Sequence, residues 1–236
     1  MEEIFRFQNI IHCQILERIN RFTVKILKNN EEDLALLTNT GRLKDIIYKG
    51  NIGICLKKDK VKKLGYVLLG TYVKDDNYTL IDTRYQMIIF EKLFNEGKIN
   101  WLKNANFIKR NVKVFNSFID YLFKKNNGED VYLEIKSAVL FDGYYSMYPD
   151  CPSLRGRKHV IDLINISNEG KKSMIAFISA HPEAKAFKPS KEGDEKLYYL
   201  ISEAYSSKSI EIHAIKFYLK ANGSVIFETD NLPIEI

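Results

Sequence analysis

The 236-residue sequence predicts a mixed α/β protein, with a small N-terminal β-barrel over residues 1–80 and a layered α/β domain over residues 81–236. Three observations lead there. The first 80 residues hold short runs rich in Val, Ile, Leu, Phe and Tyr, separated by Asn, Gly, Lys or Asp. From Thr83 the apolar spacing becomes helical, with Met87, Ile88, Leu93 and Phe94 on one stretch. Farther on, strand-like and helix-like segments alternate.

The elements follow in order. Strands are expected at Phe22–Leu27, Leu34–Leu37, Ile52–Lys57 and Gly65–Val73, short and punctuated as in a small barrel. Between the second and third, Asn39 and Gly41 mark a turn, and Leu43, Ile46 and Ile47 recur at helical spacing, which predicts a short helix. A helix over Thr83–Asn95 stops at Gly97. Strands follow at Val112–Phe123, Val131–Ser137 and Leu140–Tyr148. The next helix runs from the N-cap Ser153 to Asn168, with Gly170 past its end. Ser173–Ala180 reads as a buried strand, Asp194–Ser206 as a helix, and Ile210–Leu219 as a strand leading into the Asn222-Gly223 turn.

Composition narrows the class. With 45% hydrophobic and 28% charged residues, and no Gly, Pro or Ser tract, the chain is neither disordered nor fibrous. Its longest apolar runs, Met87–Phe90 and Ser173–Ala180, are far shorter than the roughly 20 residues that cross a bilayer. The acidic start Met1-Glu2-Glu3 does not read as a secretory signal, so a cytoplasmic protein is expected. Cys13, Cys55 and Cys151 are odd in number and scattered, which favours reduced thiols over disulfides or a zinc site. A net charge of +6 permits a polyanionic partner without identifying one.

Chemistry concentrates between residues 117 and 136. In Val131–Ser137, period-two alternation puts Val131, Leu133 and Ile135 on one face and Tyr132, Glu134 and Lys136 on the other. If Asn126, Asn127 and Gly128 form a three-residue hairpin loop, Asp120 faces Glu134. A two-residue Asn127-Gly128 turn would instead set Asp120 opposite Ile135. Facing carboxylates repel, and a divalent cation such as Mg²⁺ or Mn²⁺ would resolve the conflict, with Lys136 orienting a water or stabilising phosphorane charge. The plainer alternative is a solvated sheet face on which Lys136 neutralises one acid.

These residues carry a resemblance. Asp120 followed by Glu134-Ile135-Lys136 resembles the PD-(D/E)xK nuclease superfamily. The whole chain is similar to the sugar fermentation stimulation protein A family, through Asn20-Arg21-Phe22, Asn39-Thr40-Gly41-Arg42-Leu43, Asn116-Ser117, and Tyr148-Pro149-Asp150-Cys151-Pro152 with Arg155-Gly156-Arg157-Lys158-His159. His181-Pro182-Glu183-Ala184 and Phe187-Lys188-Pro189 extend it. The resemblance implies an OB-like barrel, a nuclease-type α/β domain, and DNA, or alternatively RNA, as partner. It leaves open two activities: Mg²⁺-dependent phosphodiester hydrolysis, or non-catalytic DNA binding that regulates sugar (maltose) metabolism genes. It also implies an acid from the first helix as a further metal ligand, here Glu91, whose alternative role is a surface ion pair. The chain departs from the family in having Phe118 where an arginine is usual, and Gln86-Met87 in place of Pro-Asn.

The remaining candidates are cationic. Arg155, Arg157, Lys158 and His159 open a helix, where a phosphate would meet free backbone N–H groups. A basic first turn does not favour the helix itself, so phosphate contact is expected there. His159 serves either as a proton carrier or as a packing residue. Arg21 and Arg42 can face a nucleic-acid backbone, with Phe22 either stacking on a base or buried in the core. Lys57, Lys58, Lys60, Lys62 and Lys63 form either a solvated hairpin tip or a sequence-independent attraction for DNA.

Overall fold

The computed structural model describes residues 1–58, 64–115 and 117–236; Lys60, Lys62 and Lys63 of the basic run, and Asn116, lie outside the described residues. After β1 (Glu2–Arg6), five strands follow: β2 (Ile10–Asn20), β3 (Thr23–Lys28), β4 (Glu31–Leu36), β5 (Ile52–Lys57) and β6 (Tyr66–Lys74). They pair in the order β4-β3-β2-β5-β6, and β4 closes on β6 in parallel through Ala35–Tyr66 and Leu36–Val67. Closure leaves no free edge, and alternation points Ile15, Val24, Ile26, Ala35, Ile54 and Leu68 into the barrel, where each is fully buried. This is the OB-type barrel expected. Two cysteines distant in sequence meet in its wall: Cys13 and Cys55 are free thiols with sulfurs 3.4 Å apart.

Two expectations for this half need correction. Strand β2 went unread because His12, Gln14, Glu17 and Arg18 interrupt its apolar alternation. Leu43–Ile47 is not a helix: Ile46 N and Ile47 N both donate to Leu43 O, and Leu43 has a left-handed φ of 53°, so the chain makes one turn and stops. The spacing had a real cause, since Leu43, Ile46 and Ile47 are all buried.

From β7 (Asn77–Leu80) the chain enters α1 (Thr83–Asn95), capped by Asp82, which accepts from Arg84 N and Tyr85 N. Then come β8 (Ala105–Val114), β9 (Ser117–Lys125), β10 (Asp130–Ala138), β11 (Leu140–Phe141), β12 (Tyr145–Tyr148), α2 (Leu154–Asn168), β13 (Lys172–Ser179), β14 (Ala186–Pro189), α3 (Glu195–Ser206), β15 (Glu211–Lys220) and β16 (Ser224–Thr229). The expected strand Val112–Phe123 is thus two, β8 and β9, because the chain reverses at Phe115 without a Gly or Pro to mark it. Likewise Leu140–Tyr148 is β11 and β12 around the Asp142-Gly143 turn.

The central sheet combines an antiparallel meander, β8-β9-β10, with parallel pairing of β10 to β13 and of β13 to β15. Helix α1 covers one face, where Ile89, Phe90 and Leu93 share a core with Tyr121, Phe123, Leu133 and Met174. Helices α2 and α3 cover the other, with Val160, Leu163, Leu197 and Ile201 against Ile119, Ile175 and Phe177. Strand β13, apolar on both sides, is buried on both faces as a central parallel strand requires. The barrel is joined to this sheet through β7, which pairs with β6 and β15, and β1 pairs with β16. Among the described residues no helix is long and apolar enough to cross a membrane.

Candidate active site

The β9–β10 hairpin sets the site. Asn126–Gly128 is a three-residue loop: Lys125 N donates to Glu129 O and Gly128 N to Lys125 O, both at 2.9 Å, and Gly128 takes the left-handed φ of 88°. The ladder then pairs Phe123 with Val131, Leu122 with Tyr132 and Tyr121 with Leu133, so the next step brings Asp120 to Glu134. There side chains replace the backbone ladder. Asp120 N donates to Glu134 Oε2 at 3.2 Å, and Ile135 N donates to Asp120 Oδ2 at 2.8 Å. Tyr121 lies in the core under α1, whereas Ile119, two residues away, lies in the core under α2. Strand β9 therefore turns over at Asp120, which opens the strands and places both carboxylates between them.

Glu134 and Lys136 are almost completely buried side chains, and Lys136 Nζ lies 2.5 Å from Glu134 Oε1. His159, on the second turn of α2, bonds the same oxygen through Nδ1. Its Nε2 faces Arg155 Nε at 3.3 Å; a guanidinium can only donate, so Nε2 accepts and Nδ1 carries the proton given to Glu134. The 3.2 Å approach of Lys136 Nζ to His159 Nδ1 is then a close contact between two donors. His159 is thereby a positioning group for Glu134.

The two acids are driven apart electrostatically. Burial, then the charge of Glu134, push Asp120 up to about 7. Burial alone would also raise Glu134, but Lys136 and His159 outweigh it and hold that carboxyl below its ordinary value. Lys136 is held above its ordinary value: burial opposes the charge, and Glu134, Tyr148 and Asp120 more than compensate. An ammonium so stabilised keeps its proton, which suits it to orienting water or balancing negative charge and not to acting as a general base.

Among the described residues no group of three or more His, Cys, Asp and Glu side chains is placed to hold a metal ion. Asp120 and Glu134 are a pair, a donor set that suits Mg²⁺ when waters and phosphate oxygens complete its shell; burial first, and then the charge of Glu134, raise Asp120, and a cation would offset both. Glu91 is not brought to them. Its carboxylate is held by Tyr121 Oη at 2.6 Å and by Arg110, because α1 packs on the face to which Tyr121 points.

The cationic candidates divide. Arg155 and Lys158 are exposed and line a cleft with Ser117, Phe118, Leu154 and His159, beside the carboxylates. Arg157 does not join them. It forks onto Asp194, the N-cap of α3, at 2.7–3.0 Å, while Asp194 also accepts from Ser153 N and Leu197 N. This ion pair ties α2 to α3. Arg157→Ala takes the cation from a buried carboxylate, so a loss of about 3–5 kcal/mol in urea unfolding is expected.

In the barrel, Arg21 and Arg42 are both exposed, and Phe22 is 52% exposed, not core, with the Arg21 guanidinium 5.8 Å from its ring. Arg18, unnoticed in the sequence, assembles these loops: its guanidinium donates to the carbonyls of Gly41, Arg42, Arg21 and Asn20. Asp150, read in the sequence only as part of the 148–152 block, docks them on the second domain by accepting from Leu43 N at 2.7 Å. Asn39 Nδ2 reaches Ser137 Oγ at 3.2 Å, one residue beyond Lys136. A Cβ on Gly41 would stand 2.6 Å from both Asp150 carboxylate oxygens. Gly41→Ala therefore displaces Asp150 and its bond to Leu43; a loss of about 1–3 kcal/mol in thermal or urea unfolding is expected.

Comparison with known proteins agrees with this architecture. Residues 16–81 match the SfsA N-terminal OB domain, and residues 84–223 the Sugar fermentation stimulation protein RE domain. The sugar fermentation stimulation protein homolog of Archaeoglobus fulgidus is 42% identical over 235 residues, covering 99% of this chain and 100% of that one. The homolog of Pyrococcus furiosus is 40% identical over 224 residues, 95% of each chain. A solved structure of Pyrococcus furiosus SfsA in complex with Ca²⁺ matches with a TM-score of 0.94 and 37% identity over 100% of both chains. The chain belongs to the sugar fermentation stimulation protein family.

Proposed function

We propose that this protein binds nucleic acid, DNA in the first instance, and hydrolyses phosphodiester bonds with a divalent cation, Mg²⁺ or Mn²⁺, held by Asp120 and Glu134. The observation that carries the reading is the pair of carboxylates between parting strands with Lys136 against one of them, joined through His159 to a cleft lined by Arg155 and Lys158. That the Pyrococcus furiosus relative was solved in complex with Ca²⁺ supports a divalent ion as the cofactor. Bound there, the cation would supply Lewis-acid polarisation of a phosphate oxygen. His159 fixes the Glu134 carboxylate, Arg155 and Lys158 seat the phosphate chain, and Lys136 orients the attacking water or balances developing charge. The division of labour falls near residue 80: the barrel of residues 1–80 extends the contact through Arg21 and Arg42, and residues 81–236 carry the chemistry. With DNA as its partner, the protein would act in the cytoplasm.

A second reading, DNA binding that regulates sugar-use genes without cleavage, is favoured by one observation: Glu134 Oε1 is already taken by Lys136 and His159. Incubating the purified chain with labelled single- and double-stranded DNA and RNA, in Mg²⁺, Mn²⁺ or EDTA, separates the two. Cleavage that needs the cation supports the nuclease; binding with no cleavage in any condition establishes the regulator.

A further inference from the structure

We propose that Phe118 and Leu154 form a stacking platform for an unpaired nucleobase, which makes single-stranded nucleic acid the substrate class of the carboxylate site. The inference rests on the phosphodiesterase reading above and adds to it what the site does with bases.

Phe118 is 53% exposed and Leu154 78% exposed, yet both line the same cleft as Arg155, Lys158 and His159, and His159 bonds the Glu134 carboxylate. Neither is held by a core: β9 turns over at Asp120, two residues past Phe118, and Leu154 stands at the first position of α2. The cleft thus has an apolar lip and a cationic floor, and its His159 joins it to Glu134. A nucleotide has the matching parts, a flat apolar face joined to an anionic phosphate. Aromatic side chains stack on any base because every base has a π-face, and cations beside them hold the backbone. In a duplex those faces are already covered by neighbouring bases, so the lip gains nothing from paired DNA and only the cationic floor contributes. Charge complementarity selects a polyanion over an apolar peptide as the occupant, and the exposed ring selects unpaired bases within the polyanions.

The test uses the full chain with Ca²⁺ present and three fluorescein-labelled ligands of equal length: a single-stranded thymidine oligomer, an abasic single strand and a duplex, read by fluorescence anisotropy. The thymidine strand is expected to bind about 10-fold or more tightly than the abasic strand, and more tightly than the duplex. Phe118→Ala is expected to bring the thymidine-to-abasic ratio close to one while leaving the abasic affinity in place. Phe118→Trp is expected to keep the ratio, with indole fluorescence quenched on binding thymidine, which reports stacking even if the alanine variant folds poorly. Tyr199→Ala, a similarly exposed aromatic on α3, is expected to leave the ratio unchanged. Equal affinity for thymidine and abasic strands, tightest binding to the duplex, or an unchanged ratio in Phe118→Ala overturns the platform while leaving the phosphodiesterase reading intact. Failure of all three ligands to bind overturns that reading instead.

Discussion

Glu134→Ala is expected to lower cation-dependent cleavage by about 10²–10³-fold or more while the folded protein keeps its affinity for DNA. The carboxylate is one of two in the site, and nothing nearby replaces it: Glu91 is committed to Tyr121 and Arg110 on the other side of the sheet. The affinity is retained because Arg155, Lys158, Arg21 and Arg42 do not depend on Glu134 for their exposure. Stability will not be indifferent. The change leaves the Lys136 ammonium buried without its partner, at a cost of about 3–5 kcal/mol. Glu134→Gln, which keeps the shape and can still accept from His159, is therefore the companion variant, and circular dichroism decides whether each is folded at the assay temperature. Undiminished cleavage by a folded Glu134→Gln protein would place the chemistry elsewhere or in a contaminant.

The site was legible where local rules decide geometry. Gly128 after two asparagines fixes a three-residue loop, the loop fixes the register, and the register carries Asp120 to Glu134. Alternation in β10 then puts Lys136 on the same side. The barrel was legible for the same reason, apart from β2, whose exposed polar positions mask the pattern. What escaped depends on partners distant in the chain. Arg157 reads as a phosphate ligand until Asp194, 37 residues on, captures it. Glu91 reads as a metal ligand until the packing of α1 aims it at Tyr121. Arg18 has no periodicity or motif of its own, and the 148–152 block names Asp150 without its partner; their roles exist only once loops 20–22 and 39–43 are side by side. The turnover of β9 at Asp120 is invisible to a reading that assumes unbroken alternation.

Without divalent cations, the stability of the wild type relative to Asp120→Asn is expected to fall as pH rises from about 4 to 7. The sign follows from linkage. Asp120 ionises in the folded state at about 7, above the 3.8 of an ordinary aspartate. A raised folded value means that stability is fully present below the unfolded value and is lost as pH rises through the folded one. About three pH units at roughly 1.4 kcal/mol each set an upper bound of about 4 kcal/mol on the loss. Glu134 acts in the opposite direction and in a lower window. Its folded value lies below 4.5, so its contribution is present above that pH and lost on acidification. Between pH 5 and 8 His181, which burial and then Lys216 lower to about 4, adds stability as pH rises to about 6.5 and so opposes Asp120. The difference between wild-type and Asp120→Asn melts in EDTA therefore isolates Asp120, and parallel curves would refute the buried, strained carboxyl. The same proton links to the metal. A cation that needs Asp120 ionised must displace its proton below about pH 7, so Mg²⁺ affinity should rise with pH up to that point and then level off. Calorimetry in buffers of different ionisation enthalpy counts the protons released: close to one per cation at pH 6, close to none at pH 8.5, and no binding to be counted in Asp120→Asn.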